Sequence, residues 1–337
     1  MLYGLDIGGS KTEIAIFDQH LNLIEKWRVD TPTDNYQKLI DTIVNLVRQA
    51  DAKTGIEGRI GIGMPGVLDE NNKLLCANIP CANGQNLLEA LEQRLNRPII
   101  IENDCSCFVV SEALHGAGKG YDNVFCAIIG TGAAGGLTVN GKIYKSRQGI
   151  SGEYGHVQIS GMLQQKYNLP TRQCGCGLKG CYETYISGPG LEFLYTHFSA
   201  QNVENQHFLN SQIDNANNHA TAITLSAKQI VELWQQNDKV AEKTMECYFD
   251  LLGACFANLV IAYDPDAIVL GGGLSLINQI GDKLNEAIDP YIFGNFGAPP
   301  ILSAQFGDSS GVRGAAILAR QHAVNPNIHD NPLASTA

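Results

Sequence analysis

The segment LYGLDIGGSKTEIAIFD, residues 2–18, predicts two β-strands joined by a glycine turn. EIAIFD alternates between polar and apolar residues instead of showing a helical period. Rossmann and P-loop phosphate sites need a helix directly after the glycines, and the segment contains neither GxGxxG nor GxxxxGK[ST]. It is therefore a hairpin, whose turn amides either bind an anion or simply close the turn.

The same design recurs at residues 124–140, where the apolar strand VFCAIIG leads into the turn GTGAAGG and then into LTVN. A third glycine cluster, GGG at 271–273, follows the apolar strand AIVLG. The repeat indicates internal duplication, and three glycine turns at strand ends indicate one nucleotide site. Strands that alternate with helices, together with the two hairpins, predict an α/β fold with mixed sheets.

Composition limits the class of protein. At 337 residues the chain exceeds the size of one hydrophobic core, so two domains are expected. A net charge of −11 argues against a nucleic-acid partner, which needs clustered cations. No signal peptide precedes LYGLDIGG, and the apolar stretch Tyr248–Tyr263 is interrupted by Asp250 and Asn258, so we expect a cytoplasmic protein without a membrane partner.

Several further elements follow from local patterns. Amphipathic helices are predicted at Tyr36–Ala50, Lys239–Tyr263 and Leu274–Ile288. The segment HGAGKGYDN at 115–123 is typical of a linker between two halves. The proline-containing end of the chain, 324–337, has no apolar period and is expected to be a flexible tail.

A metal site is predicted between residues 152 and 183. CGCGLKGC places three thiols within eight residues, and GEYGH precedes it. Three thiolates and one imidazole form a closed tetrahedral Zn²⁺ set with no open position, so the metal would be structural. The predicted ligands are His156, Cys174, Cys176 and Cys181. The alternative is a glycine-rich turn with ordinary buried thiols.

Together, seven motifs resemble those of the ROK sugar kinases, in the actin-like ATPase superfamily: DIGGSKT, MPG, END, GTGAAGG, GEYGH, CGCGLKGCYE and GGG. The resemblance covers residues 2 to about 322. It implies an actin-like, ribonuclease H-like duplicated fold of two domains with ATP in the cleft. Residues 1–117 and 311–323 would form a small domain with the sugar and catalytic residues. Residues 118–310 would form a larger domain with the zinc and nucleotide sites.

The resemblance also implies site residues. The glycine turns would hold the ATP phosphates, with Mg²⁺ bound through water near Asp6. The implied nucleotide residues are Gly4, Leu5, Asp6, Ile7, Gly8, Gly9, Ser10 and Lys11; Gly130, Thr131, Gly132, Ala133, Ala134, Gly135, Gly136 and Leu137; and Gly271, Gly272 and Gly273. The implied sugar contacts are Gly66, Asn78, Asn103, Asp104, Glu153, His156 and Glu183.

Asp104 would be the catalytic base. Phosphoryl transfer to an alcohol needs a carboxylate that accepts the hydroxyl proton, and Asp104 follows the apolar strand Pro98–Glu102. The alternative role for Asp104 is a helix N-cap. Because the zinc ligands lie between Glu153 and Glu183, whereas the glycine turns lie elsewhere in the chain, we expect metal loss to affect sugar binding more than nucleotide binding.

Within the family, YGLDIGG, ANIP at 77–80 and FGDSSGVRGAA resemble the bacterial N-acetylglucosamine kinases. This implies phosphorylation of N-acetyl-D-glucosamine at its 6-hydroxyl by an enzyme that we expect to be a homodimer. Fructokinase, mannokinase and N-acetylmannosamine kinase are the alternatives inside the family. A sugar-responsive repressor would need a basic DNA-binding domain before the first glycine turn, which starts at residue 8.

Overall fold

We describe the protein from a computed structural model. It describes residues 1–69, 73–76, 78–144, 147, 150–201 and 225–322, so the predicted tail at 324–337 lies outside the described residues. The chain forms two compact units. Unit 1 comprises Met1–Gly120 and the chain from Gln305 onward, and unit 2 comprises Tyr121–Ala304. The functional roles predicted for the two domains stay predictions.

The strands of unit 1 are β1 (Leu2–Ile7), β2 (Lys11–Phe17), β3 (Leu23–Asp30), β4 (Arg59–Met64), β5 (Val67–Leu68), β6 (Leu74–Leu75) and β7 (Ile99–Asn103). Those of unit 2 are β8 (Val124–Ile129), β9 (Ala133–Val139), β10 (Lys142–Ile143), β11 (Ala267–Gly271) and β12 (Ile301–Ser303). The helices are α1 (Tyr36–Thr54), α2 (Leu87–Leu95), α3 (Asp104–His115), α4 (Gly161–Tyr167), α5 (Glu183–Ile186), α6 (Gly188–Gln201), α7 (Ala227–Gln235), α8 (Lys239–Tyr263), α9 (Ile280–Ile288) and α10 (Ser310–His322).

The two large sheets share one topology. Unit 1 has the strand order β3-β2-β1-β4-β7, and unit 2 has the order β10-β9-β8-β11-β12. In each, three consecutive antiparallel strands come first, and a later strand, β4 or β11, pairs in parallel with the first of the three. The predicted hairpins, mixed sheets and internal duplication are therefore confirmed.

Helix α10 brings the end of the chain back onto the first sheet. A Cβ atom at Gly4 would lie 1.8 Å from the carbonyl oxygen of Val312, and one at Gly61 would lie 1.9 Å from that of Ala315. Only glycine leaves room for this approach of helix backbone to strand backbone. The close packing aligns β1 and β4 under the helix, and their carboxyl ends lie side by side.

Helix α8 is long and apolar enough to cross a membrane by length and composition alone. However, 67% of its most apolar window is buried inside the protein. The Asp238 side chain caps its first turn, and Asp264 ends it in the left-handed conformation at φ 43°. These features are typical of the core helix of a water-soluble unit, and Phe256, Leu251 and Tyr248 on it are fully buried.

The predicted helix Leu274–Ile288 is wrong in its first half. The structure has a short 3-10 turn at Gly273–Leu276 and begins α9 only at Ile280. Gln279 interrupts the helix because it adopts a left-handed φ of 59°. The apolar periodicity of the segment hid this break, since Leu274, Ile277 and Ile280 are all buried although only the last lies in an α-helix.

Candidate functional site

In unit 1 the parallel neighbours β1, β4 and β7 all end at one edge of the sheet. This is the edge where ligands bind in open α/β sheets. The first glycine turn closes there through a bond from the Gly8 amide to the Lys11 carbonyl, 2.8 Å long. Among the described residues, no acceptor lies within hydrogen-bonding distance of the Gly9 and Ser10 amides. Two adjacent amides at a turn form a binding site for an anion.

Three predicted sugar residues lie at this edge. Asn103 donates from Nδ2 to the Gly66 carbonyl over 3.0 Å. A Cβ at Gly66 would lie 2.3 Å from the Leu75 carbonyl, and the residue has a φ of 107°, so glycine is required there. The backbone of Asn78 packs against the first glycine turn, with its carbonyl oxygen 3.0 Å from the place of a Gly9 Cβ. Gly66, Asn78 and Asn103 therefore lie around the end of the central strands.

Asp104 is the first residue of α3 and does not cap it. The N-cap is Asn103, whose Oδ1 accepts from the Cys105 amide over 2.8 Å. The N-cap alternative for Asp104 was therefore wrong. Burial raises the pKa of Asp104 above its usual value, although the hydrogen bond from the Cys105 amide opposes this shift. A carboxylate with a raised pKa is a stronger base for an alcohol proton.

Asp6 is a second carboxylate at the same edge. Burial, followed by repulsion from Asp104 and Glu13, raises its pKa to about 6. Arg28 opposes this shift, and it is itself held by Glu13 over 2.9 Å. Within the described part of the chain, Asp6 has no hydrogen-bond or ion-pair partner. Asp6 is half-buried, and a carboxylate without a protein partner in such a place is available to a ligand.

Unit 2 carries the second and third glycine turns side by side. A Cβ at Gly130 would lie 3.9 Å from the Gly273 amide nitrogen. No acceptor is found, among the residues that the structure describes, for the amides of Thr131, Gly132, Gly272 and Gly273. Each of the three predicted turns thus presents two consecutive unpaired amides, as the duplication predicts.

Many of the residues predicted to contact the nucleotide lie in strands or on the surface rather than in the glycine turns. Gly4, Leu5 and Ile7 lie inside β1. The side chains of Leu5 and Ile7 are buried, and the absence of a side chain at Gly4 leaves room for the backbone of α10. Lys11 forms an ion pair with Asp30 on the surface. Ala134, Gly136 and Leu137 belong to β9, Gly271 ends β11, and the Gly135 amide donates to Gly152. Turn residues, rather than strand residues, offer amides to an anion.

The four predicted metal ligands converge in unit 2. The ligand atoms of His156, Cys174, Cys176 and Cys181 all lie within 4.8 Å of one another. The Cys176 and Cys181 sulfurs are 3.7 Å apart, and the Cys174 sulfur is 3.6 Å from His156 Nδ1. A tetrahedral ion with bonds of about 2.3 Å to sulfur would place two sulfurs about 3.8 Å apart.

Local pairing explains how distant ligands meet. The Ile159 amide donates to the Gly180 carbonyl, and the Tyr182 amide donates to the Val157 carbonyl, over 2.9 and 2.8 Å. These bonds bring His156 next to Cys181, while α4 spans the loop between His156 and Cys174. Gln173, which sequence reasoning missed, donates from Nε2 to the carbonyls of Cys174, Gly177 and Leu178. Its position directly before CGCG is the signal that could have identified it.

His156 has one ring nitrogen for the cluster and one for other contacts. Nδ1 faces Cys174, whereas Nε2 lies 3.7 Å from a Glu153 oxygen. The imidazole can therefore ligate a metal through Nδ1 while Nε2 points toward a predicted sugar residue.

Glu183 links the Cys/His cluster to the second glycine turn, although the two lie far apart in the sequence. Its Oε2 accepts from the Ala133 amide in the second glycine turn over 3.0 Å, and its Oε1 lies 3.8 Å from the Cys174 sulfur. One side chain therefore joins the cluster to the turn. Distance along the chain did not predict this contact because α5 returns the segment to the start of β9.

Comparison with known proteins agrees with this geometry. The model of the ROK family matches residues 2–322. The chain belongs to the ROK family. An N-acetylgalactosamine kinase of Shewanella is 41% identical over 318 residues, 94% of this chain and 96% of that protein. An N-acetyl-D-glucosamine kinase of Pectobacterium carotovorum is 38% identical over 321 residues, 94% and 98% of the two chains.

Solved structures extend the comparison within the ROK family. A ROK hexokinase from Thermus thermophilus superposes with a TM-score of 0.78 at 28% identity, covering 96% of this chain and 99% of that one. A ROK glucokinase from Streptomyces griseus, in complex with glucose and AMPPNP, gives a TM-score of 0.74 at 30% identity, with coverage of 95% and 99%. The predicted family and the two-unit fold with mixed sheets are confirmed.

We predict that Asp6→Asn stabilises the protein at neutral pH. A raised pKa means that the folded state binds a proton more tightly than the unfolded state, so the charged carboxylate destabilises the fold above pH 6. The gain should reach up to about 3 kcal/mol at pH 7.5 and shrink as the pH falls through the folded-state pKa. Urea unfolding of both proteins between pH 5 and 8 measures this difference. A gap that grows toward low pH would contradict it.

Proposed function

We propose that this protein transfers the γ-phosphate of ATP to the 6-hydroxyl of N-acetyl-D-glucosamine. The observation that carries the proposal is the placement of Asp104, a half-buried carboxylate with a raised pKa. It follows Asn103, whose side-chain amide is a predicted sugar contact, and it lies at the same edge of the unit 1 sheet as the first glycine turn, a predicted phosphate contact. Relatives named N-acetyl-D-glucosamine kinase, at 37–38% identity over 321 residues, support the substrate.

Asp104 acts in the proposal as the base. It accepts the proton of the sugar 6-hydroxyl as the oxygen attacks the γ-phosphorus, and the bond from the γ-phosphorus to the β-phosphate oxygen breaks. The Cys105 amide fixes the carboxylate through a 2.9 Å bond to Oδ1. The other oxygen is left to receive the proton.

The three pairs of unpaired amides bind the phosphates of ATP in the proposal. They are Gly9 and Ser10, Thr131 and Gly132, and Gly272 and Gly273. Asp6 fits a water-mediated Mg²⁺ contact, because it is a half-buried carboxylate without a protein partner among the described residues. Bound Mg²⁺ neutralises charge on the transferred phosphate.

Hydroxyl acceptors and donors of the predicted sugar residues hold the sugar in the proposal. They are Gly66, Asn78, Asn103, Asp104, Glu153, His156 and Glu183. The amide of Asn103 is already oriented by two hydrogen bonds, and His156 keeps Nε2 on the Glu153 side. Preoriented polar groups provide specificity for a polyol at low entropic cost.

We also propose a structural Zn²⁺ in the Cys/His cluster. The sulfur–sulfur and sulfur–nitrogen distances of 3.7 and 3.6 Å fit a tetrahedral site. Burial raises the pKa of the metal-free Cys181 thiol to about 12, so zinc binding would release its proton. The ion would hold the 152–183 segment and thereby orient His156 and Glu183.

N-acetylgalactosamine is the second candidate substrate, because the Shewanella relative with that name is 41% identical to this chain. The two sugars differ in the orientation of one ring hydroxyl, at C4, so a single acceptor can discriminate between them. We expect a homodimer in the cytoplasm, without nucleic-acid or membrane partners.

A coupled ADP-release assay over N-acetylglucosamine, N-acetylgalactosamine, N-acetylmannosamine, glucose, mannose and fructose tests the substrate. We predict that kcat/KM is highest for N-acetylglucosamine. If another sugar exceeded it more than about tenfold, a difference of about 1.4 kcal/mol in transition-state binding, the substrate assignment would be wrong.

We predict that Asp104→Asn lowers kcat by about 10²- to 10⁴-fold, the usual contribution of a positioned base, while the sugar Kd changes little. Asp41→Asn is the matched control, because Asp41 is a surface carboxylate paired with Arg94. Steady-state kinetics and calorimetric sugar binding check both variants. Near-normal turnover of Asp104→Asn would remove the base from the mechanism.

We predict that wild type holds about one zinc per chain, as one tetrahedral site requires, and that Cys176→Ser loses most of it. Sugar affinity should fall sharply. Nucleotide affinity should also fall, but less, because Glu183 joins the cluster to the Ala133 amide. Metal analysis and calorimetry measure these changes, with Cys81→Ser as the control since Cys81 lies outside the cluster. Full activity of metal-free wild-type protein would contradict the structural-zinc proposal.

A further inference from the structure

Glu112 in α3 is a fully buried carboxylate that the proposed chemistry does not use. Its Oε1 accepts from the Phe306 amide over 2.8 Å and from the Ser310 hydroxyl over 2.6 Å. Its Oε2 accepts from the amides of Gln305 and Ala117 over 2.8 and 3.3 Å. A buried charge is tolerated only when donors satisfy it, and four donors here do so.

Three of these four donors come from the two places where the chain passes between the units. The chain leaves unit 1 after Gly120 and returns to it at Gln305. Ala117 lies just before the departure, and Gln305 and Phe306 are the first residues of the return. We call residues 116–120 and 305–306 the crossing segments. Glu112 therefore holds both crossing segments to the same turn of α3.

On the return, two consecutive backbone amides donate hydrogen bonds to different units. The Ala304 amide donates to Leu270 in unit 2 over 2.9 Å, whereas the next amide, of Gln305, donates to Glu112. The departing chain stays bound to unit 1 through the amides of Gly118 and Lys119. The change of partner therefore falls between Ala304 and Gln305 on the return and after Lys119 on the departure, where Gly120 has a φ of 100° and open space around it.

Two neighbouring residues, Gly116 and Arg313, also interact with the Glu112 side chain or the segment that it binds. A Cβ at Gly116 would lie 2.2 Å from Glu112 Oε2, so only glycine admits the side chain. The Arg313 guanidinium lies 4.1 Å from the centre of the Phe306 ring. Burial lowers the pKa of Arg313, and the nearby charge of Glu112 opposes this shift. The return segment is therefore held by its backbone amide on Glu112 and by its ring on Arg313.

Glu112 is also connected, through the start of α10, to the edge of the sheet at which Asp6 lies. Glu112 binds the Ser310 hydroxyl in the first turn of α10, and the next residue, Gly311, leaves room for Asp6. A Cβ at Gly311 would lie 2.2 Å from Asp6 Oδ2. Movement of this first turn would therefore move the atoms against which Asp6 packs.

We propose that Glu112 is a positioning residue for phosphoryl transfer: it fixes both crossing segments, limits rotation to Ala304 and the Gly120 region, and holds the start of α10 against Asp6. The effect on transfer rests on the proposed kinase function, whereas the restraint of the crossing segments does not. Alignment of reacting groups contributes strongly to rate, and a displacement of about 1 Å costs about 10²-fold.

Two variants of the full-length protein test the proposal. Glu112→Gln keeps the shape but turns an NH₂ group toward backbone N–H donors, and Gly116→Ala pushes a methyl group onto Oε2. Glu92→Gln is the control, because Glu92 accepts from the Ile99 amide elsewhere in unit 1 over 3.0 Å. Hydrogen exchange of the amides of residues 117, 305 and 306 should speed up at least tenfold in both test variants. Exchange in β1 and β4 should stay at the wild-type rate.

The kinetic measurement is the ratio of ATP hydrolysed to sugar phosphorylated, from which any inactive fraction cancels. We expect this ratio to rise at least threefold in both test variants and to stay constant in Glu92→Gln. Unchanged local exchange in Glu112→Gln, or faster exchange with an unchanged ratio, would overturn the proposal. If wild type phosphorylates no sugar, the kinase proposal fails, and the exchange comparison still decides whether Glu112 restrains the crossing segments.

Discussion

The packing of α10 on β1 and β4 is the constraint on which unit 1 depends. Helix backbone meets strand backbone at Gly4 and Gly61 with no space for a single carbon atom. A contact this close fixes the height and direction of the central strands, because neither side has a flexible side chain to absorb a shift. Asp6 lies in β1, and β7, which pairs with β4, ends directly before Asp104, so the placement of both carboxylates depends on glycines packed beneath a helix.

Local patterns predicted the parts of the structure that local patterns control. The glycine hairpins at residues 2–18 and 124–140 and the His156, Cys174, Cys176 and Cys181 cluster follow from short motifs, and the structure contains them all. Features that depend on contacts distant in the chain were missed. The Glu183 bond to Ala133 forms only because α5 returns to the start of β9. Strand β3 has mostly exposed residues and little apolar pattern, and it forms because it can pair with the edge of β2.

Two carboxylates of unit 1, Glu112 and Asp6, differ in how the protein satisfies them. Glu112 is satisfied by four protein donors and can remain charged at little cost, so its position is fixed. Asp6 has no partner among the described residues, and burial raises its pKa to about 6. The fold thus leaves one carboxylate without a protein partner among the described residues and bonds the other to backbone and hydroxyl donors.

The chain order of the units has a consequence for biosynthesis. Unit 2 is one continuous stretch, Tyr121–Ala304, whereas unit 1 needs both the first 120 residues and α10. While the ribosome is still making the return segment, unit 2 can complete its core, but the surface of β1 and β4 around Gly4 and Gly61 has nothing to cover it. The usual vectorial order, in which N-terminal domains mature first, is thus reversed. Nascent chains stalled before residue 310 would expose an apolar sheet face, which is the kind of surface that chaperones recognise.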